Sequence, residues 1–169
     1  MKSPHDEFAV ALDREAPDLL RYLERRLAKE DAADALAEVM VAAWRRSDSM
    51  PSDPEQSRMW MFGIARNVFA NAARGERRRS RLGDRLRAVL VAAPPVAAPS
   101  DEGIELRDAI ARLPADQAEL VRLVHWEGFT IAGAGEILGV PASTARTRYQ
   151  KARNDLRRVL LTDSEQLPR

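Results

Sequence analysis

Residues 139–153 read GVPASTARTRYQKAR. Gly139-Val140-Pro141 is a turn signal, because glycine accepts a left-handed backbone and proline presets φ for the start of a helix. Ser143 and Thr144 follow, then a basic residue on almost every turn: Arg146, Arg148, Lys151 and Arg153. Carried on to about Leu160, the segment sorts by the helical period. Ala145, Tyr149, Ala152, Leu156, Val159 and Leu160 form one apolar face; Arg146, Thr147, Gln150, Lys151, Arg153, Asn154 and Arg157 fall mainly on the other. Just upstream, FTIAGAGEILG (129–139) offers Thr130 as the N-cap and Gly139 as the C′ residue of a short helix. A short helix, a tight turn and a second helix spell a helix-turn-helix. Gly133 and Gly135 each weaken the short helix by roughly 1 kcal/mol relative to alanine, so packing must hold it.

A helix presented in this way fits the major groove of DNA with its early residues at the base edges. Arginine bonds O6 and N7 of guanine as a fork, and glutamine does the same with N6 and N7 of adenine. Threonine meets the thymine methyl or a phosphate, and lysine neutralises phosphates. Arg146, Thr147, Gln150 and Lys151 have suitable types and spacing. Arg148, Arg153, Arg157 and Arg158 suit the DNA backbone or an internal ion pair better. On spacing alone, the same face also fits the solvated back of a helical bundle.

The rest of the chain is helical in pattern too, with no strand alternation and no internal repeat. Ile104, Ile110 and Leu113 mark a helix ended before Pro114, and ADQAELVRLVHW (115–126) marks another. In the first half, Leu20, Leu23 and Leu27 share a face. Leu36, Val39, Met40, Ala43 and Trp44 follow the amphipathic template, as do Met61, Ile64, Ala65, Val68 and Ala72. Asp31 and Ser57 are the expected N-terminal signals of those last two helices. Gly75 is expected to end or loosen the last one. Between the halves, AAPPVAAPSDEG (92–103) reads as a semi-extended linker. The expectation is therefore an all-α protein: one small helical domain over 1–91, a linker over 92–103, a second domain over 104–162, and a tail over 163–169.

Charge distribution matters more than its total. The net charge is only +1, yet residues 74–87 carry seven arginines against one Glu and one Asp, and residues 141–158 carry six basic groups against one Asp. Seven arginines in fourteen residues repel one another unless an anion compensates. The first patch follows WMFGIARNVFANAAR (60–74), where Arg66, Asn67, Asn71 and Arg74 lie off the apolar face. Amides that bond exposed base edges beside arginines that track phosphates suit single-stranded nucleic acid. Trp60, Phe62 and Phe69 fit a core better than a stacking platform. Asp34 and Glu38, four apart, share a face.

Other functions find little support. The chain has no cysteine, and its two histidines, His5 and His125, are far apart, so neither a metal site nor a catalytic pair is expected. No glycine-rich phosphate loop and no nucleophile with a partnered base is present. An enzyme, a cofactor and a small-molecule substrate are not expected. MKSPHDEF (1–8) is polar and does not read as a signal peptide, and no apolar run is long enough to span a membrane. A cytoplasmic location is the expectation.

Taken together, these strings resemble a known family. DAADALAEVMVAAWR (31–45), followed by WMFGIARNVFANAARGERRR (60–79), is similar to region two of bacterial RNA polymerase sigma factors. LPADQAELVRLVHWEGFTIAGAGEILGVPASTARTRYQKARNDL (113–156) is similar to region four. The two in this order, with little else, resemble the extracytoplasmic function (ECF) class over about residues 8–160. The resemblance implies a subunit that binds core RNA polymerase, recognises and opens promoters, and starts transcription, often under an anti-sigma protein. It implies that Asp34, Glu38 and Arg45 meet the polymerase clamp helices. Arg66, Asn67, Asn71, Arg74, Arg77, Arg78 and Arg79, with a loop from Gly75 to Leu82, would capture the opened −10 element. Ser143, Thr144, Arg146, Thr147, Gln150 and Lys151 would meet the −35 duplex, and region four would also bind the polymerase flap. The chain departs from the family pattern at Ala37, usually polar or acidic, and at Gly63, usually Arg. A further departure is Gly133-Ala134-Gly135, where the family pattern reads Glu-Ile-Ala.

Overall fold

The computed structural model describes residues 4–87 and 104–165, and side chains for residues 6–71 and 106–160. Every long element described is an α-helix: α1 (Pro4–Glu24), α2 (Lys29–Trp44), α3 (Pro54–Arg87), α4 (Ile104–Ala111), α5 (Ala115–His125), α6 (Ile131–Leu138) and α7 (Ala142–Glu165). One 3-10 turn, Ser47–Ser49, lies between α2 and α3. The chain divides into two compact units, Met1–Pro94 and Pro95–Arg169. The stretch 92–103 expected to link them lies outside the described residues. So does His5 as a side chain.

In the first unit α1, α2 and α3 pack against one another. The buried line of α1 is Phe8, Ala11, Glu15, Leu19, Tyr22 and Leu23. The leucine stripe expected from sequence is therefore displaced: Leu23 is buried, Leu20 is half-buried, and Leu27 lies past the helix end. The helix begins far upstream, and the register of Phe8 and Ala11 sets its inner face. Pro17 sits within α1 and has no N–H for the carbonyl of Asp13, but it is exposed, where water can serve that carbonyl.

α2 corrects the expected pattern by about one residue position. Its buried face is Ala32, Ala35, Val39 and Ala43, while Met40 and Trp44 are exposed. Small residues let α2 approach its neighbours closely, and the bulky ones remain at the edge; Trp44 meets Phe8 edge-on at 5.6 Å. Asp31 lies in the first turn rather than at the cap; the cap is Ala28, without a side-chain bond. For α3, Asp53 Oδ1 accepts from the Gln56 amide at 2.9 Å, and Pro54 takes the first helical position. Ser57, expected as the start, is buried inside the helix instead, donating to the Pro54 carbonyl at 3.0 Å. Met61, Ile64, Ala65 and Val68 of the expected stripe are buried, as is Phe62, and its last member, Ala72, lies outside the described side chains. Tyr22 and Phe62 meet edge to face at 5.4 Å.

A polar clamp joins α1 to α3. Glu15 is only 4% exposed, yet its carboxylate takes Arg14 Nε at 2.7 Å on one oxygen and Arg58 Nε at 3.1 Å on the other. Arg58 also reaches Asp18 at 3.2 Å, and its guanidinium lies 4.9 Å from the Phe62 ring centre. Arg14 Nη2 donates to Ser57 Oγ at 3.3 Å. Asp18 is held by Arg21 as well. A buried carboxylate is tolerated only with such partners.

In the second unit α5 packs on α6 and α7, α4 on α5 and α7, and α6 on α7. Ile110, Ala118, Val121 and Ala152 form a buried cluster, with Leu113, Tyr149 and Leu156 against it. α7 runs to Glu165, past the end expected near Leu160.

Candidate nucleic-acid interface

The turn that opens α7 is built as its sequence requires. Thr130 Oγ1 accepts from the Gly133 amide at 3.0 Å and caps α6. At the other end, Gly139 adopts φ +69°. Its N–H donates to the Glu136 carbonyl at 3.0 Å, and the Val140 N–H donates to the Gly135 carbonyl at 2.9 Å. That pair of bonds is a Schellman motif, which closes one helix and aims the chain into the next. Pro141 then accepts the first bond of α7, from the Ala145 amide at 2.9 Å.

α7 divides into two faces as its periodicity requires. Ala145 and Ala152 are fully buried, and Tyr149 and Leu156 are half-buried. Arg146, Thr147, Gln150, Lys151, Arg153, Asn154 and Arg157 are all exposed. Ser143 is exposed beside them and Thr144 is half-buried. The inner face is pinned by polar contacts as well. Tyr149 Oη lies 2.8 Å from His125 Nε2 with the rings stacked, and Arg148 pairs with Asp116 at 2.8 Å. Arg148 is thus engaged within its own unit. The Thr147 hydroxyl donates to the Ser143 carbonyl at 3.1 Å, which leaves its methyl as the group to offer outward.

α3 carries the second set. Arg66 is half-buried, and Asn67 and Asn71 are exposed at the edge of the stripe that buries Ile64, Ala65 and Val68. Trp60 and Phe69 are half-buried. Gly75 does not interrupt the helix: α3 continues to Arg87, so residues 75–82 are helical rather than a loop. One glycine costs a helix only about 1 kcal/mol, and the arginines around Gly75 are good helix formers. Helical spacing then places positions 67, 71, 74 and 78 along one line. The side chains of Arg74, Arg77, Arg78 and Arg79 lie outside the described residues.

On α2, Asp34 and Glu38 are exposed on one face, and Arg45 is exposed just past the helix end. Between them stands Val41, 49% exposed, with Met40 and Trp44 alongside. The helical period alone does not reveal this apolar exposure, because it assigns Met40 and Trp44 to the core face. The spacing of the small residues Ala32, Ala35, Val39 and Ala43 is the signal that could have found it. A second feature escaped sequence reading: an open groove of about 440 Å³ between α4, α5 and α7. Leu106, Val121, His125, Tyr149, Leu156 and Leu160 line it, and Arg153 and Arg157 border it. No helix among the described residues is long and apolar enough to cross a membrane.

Residues 12–79 match the family described as Sigma-70 region 2, and residues 103–156 match Sigma-70, region 4. The ECF RNA polymerase sigma factor SigM of Mycobacterium tuberculosis (strain ATCC 35801 / TMC 107 / Erdman) is 33% identical over 89% of this chain and 80% of its own. This chain is an ECF-type RNA polymerase sigma factor. A second relative, the ECF sigma factor EcfG of Rhodopseudomonas palustris (strain TIE-1), is 31% identical over 78% of this chain and 72% of its own. Among solved structures, the sigma factor RpoE in complex with the anti-sigma factor NepR from Bartonella quintana matches with a TM-score of 0.67. Identity to it is 28%, over 92% of this chain and 98% of that one. As a sigma factor the protein is a transcription initiation factor: it binds core polymerase and directs it to promoters. Its region 2 falls on α1–α3 and its region 4 on α4–α7.

Proposed function

We propose that α7 reads the −35 duplex, that α3 receives the opened −10 strand, and that α2 docks on core polymerase. The carrying observation is the division of α7: seven polar or basic side chains exposed in a row, above a face locked by Ala145, Ala152 and the Tyr149–His125 contact. Arg146 and Gln150, four apart in the first turns, are the base readers; Thr147 offers its methyl; Ser143, Thr144 and Lys151 hold phosphates. On α3, Asn67 and Asn71 bond splayed bases, while Arg66, Arg74, Arg77, Arg78 and Arg79 follow the strand. On α2, Asp34, Glu38 and Arg45 pair with polymerase charges around Val41 and Trp44, which supply the apolar contact. The groove beside α7 is the seat for the polymerase flap. The domain spanning 1–91 thus serves polymerase and the −10 element, and that spanning 104–162 serves the −35 element.

The protein works in the cytoplasm, without cofactor or catalytic centre, and an anti-sigma protein holds it inactive. The likeness to a sigma factor solved with its anti-sigma factor supports that control. Transcription with purified core polymerase over a pool of promoters randomised at both elements tests the reading. The wild type should enrich one −35 and one −10 sequence. Arg146→Ala should lose preference at one −35 position by about 1–3 kcal/mol, and Arg148→Ala should keep it. No protein-dependent transcript, or unchanged preference in Arg146→Ala, would overturn it.

A further inference from the structure

Gly135 lies on the buried face of α6 and Ala145 on that of α7, the latter with no exposed surface. A Cβ on Gly135 would stand 2.8 Å from the Ala145 Cβ and 3.3 Å from the Val140 carbonyl oxygen. Carbon atoms settle at about 3.5–4.0 Å, so the two helices meet here with no room for one more methyl group. Neither neighbour can swing away. The Ala145 Cβ is fixed to its backbone, and the Val140 oxygen belongs to a turn held by the Val140→Gly135, Gly139→Glu136 and Ala145→Pro141 bonds.

We propose that Gly135 and Ala145 form a size-matched positioning pair that sets the reach of α7 into the −35 groove. The inference rests on the reading of α7 as the duplex-facing helix. An added methyl must push the two backbones apart by something under 1 Å. The later part of α7 is anchored by Arg148–Asp116, Tyr149–His125 and buried Ala152. The displacement therefore falls on the first turn, next to Arg146. Binding constellations tolerate about 0.5 Å, so the base contacts suffer while the unit stays folded. What the sequence presents as a weak point in the supporting helix is thus a close approach between the two helices of the motif.

The test uses the full chain with core polymerase and a promoter selected by the wild type, its −35 element either intact or scrambled. The readout is the ratio of initiation on the two templates, with core-binding affinity and hydrogen exchange of α5–α7 measured in parallel. Gly135→Ala should lower the ratio about tenfold with core binding unchanged. Adding Ala145→Gly moves the methyl from one helix to the other and should restore the ratio to within about threefold of wild type. A single variant that keeps the wild-type ratio overturns the proposal, and so does a double variant no better than the single. Should Gly135→Ala fail to fold, the double decides: folded with a wild-type ratio supports the pair, and unfolded or unselective overturns it. Arg146→Ala separates the two levels. If it leaves the ratio untouched, the reading of α7 falls and the pair loses its role; if it lowers the ratio and Gly135→Ala does not, only the pair fails.

Discussion

Arg58→Met should loosen the first unit alone. Arg58 reaches both Glu15 and Asp18 across the α1–α3 contact, at 3.1 and 3.2 Å. Removing one member of a buried ion pair costs about 3–5 kcal/mol, because the other charge is left behind. Two features reduce that figure here. Glu15 keeps Arg14 at 2.7 Å on its other oxygen, and Asp18 is 35% exposed, so its share is under about 1 kcal/mol. Methionine also preserves the apolar stem that packs toward Phe62. The net cost is about 2–3 kcal/mol. Hydrogen exchange of the intact protein measures it unit by unit: amides of α1 and α3 should exchange roughly 30- to 150-fold faster while α5–α7 stay unchanged. Arg14→Ala, removing a side chain 46% exposed, should have a much smaller effect. An acceleration under threefold in α1 and α3, or an equal one in α5–α7, would show that the clamp does not hold the unit. Arg66 sits eight residues beyond Arg58, about 12 Å along the same helix. Loosening at the clamp should therefore also weaken −10 opening while −35 preference persists.

Two further substitutions test the local reasoning. Thr130→Ala removes the acceptor for the Gly133 amide and should cost the second unit about 1 kcal/mol, seen as faster exchange in α6; no change would mean the cap is redundant. Gly63 faces open space within α3, so Gly63→Ala should stabilise the first unit by about 0.5–1 kcal/mol in a denaturant titration, and a loss of stability would contradict the open geometry.

Much of the fold is legible residue by residue. Thr130 and Gly139 marked both ends of α6 because a cap and a left-handed residue are local devices, set by atoms within a few residues. The face of α7 was legible for a related reason: its polar and apolar residues alternate cleanly at the helical period. α2 was not, because alanine fits a tight contact and a surface equally well, and only neighbouring helices determine which alanines are inside. Ser57 misled because a hydroxyl that bonds back to Pro54 inside a helix looks, in sequence, like one that caps it.

The division between sequence and tertiary structure follows the range of the forces. By itself the sequence determined the helices of the second unit, the turn at Gly139, the two basic segments and the family, all of which depend on local chemistry and order along the chain. Tertiary structure decided the buried Glu15–Arg58 clamp, the exposure of Met40 and Trp44, and the contact of Gly135 with Ala145. Each of these depends on which surfaces meet across ten or more residues, and spacing along one helix carries no information about that. The fifteen residues from Gly139 fold into the turn and two-faced helix that their pattern requires, and the second glycine of the AGAG before them is where α6 meets α7 without room for a further methyl group.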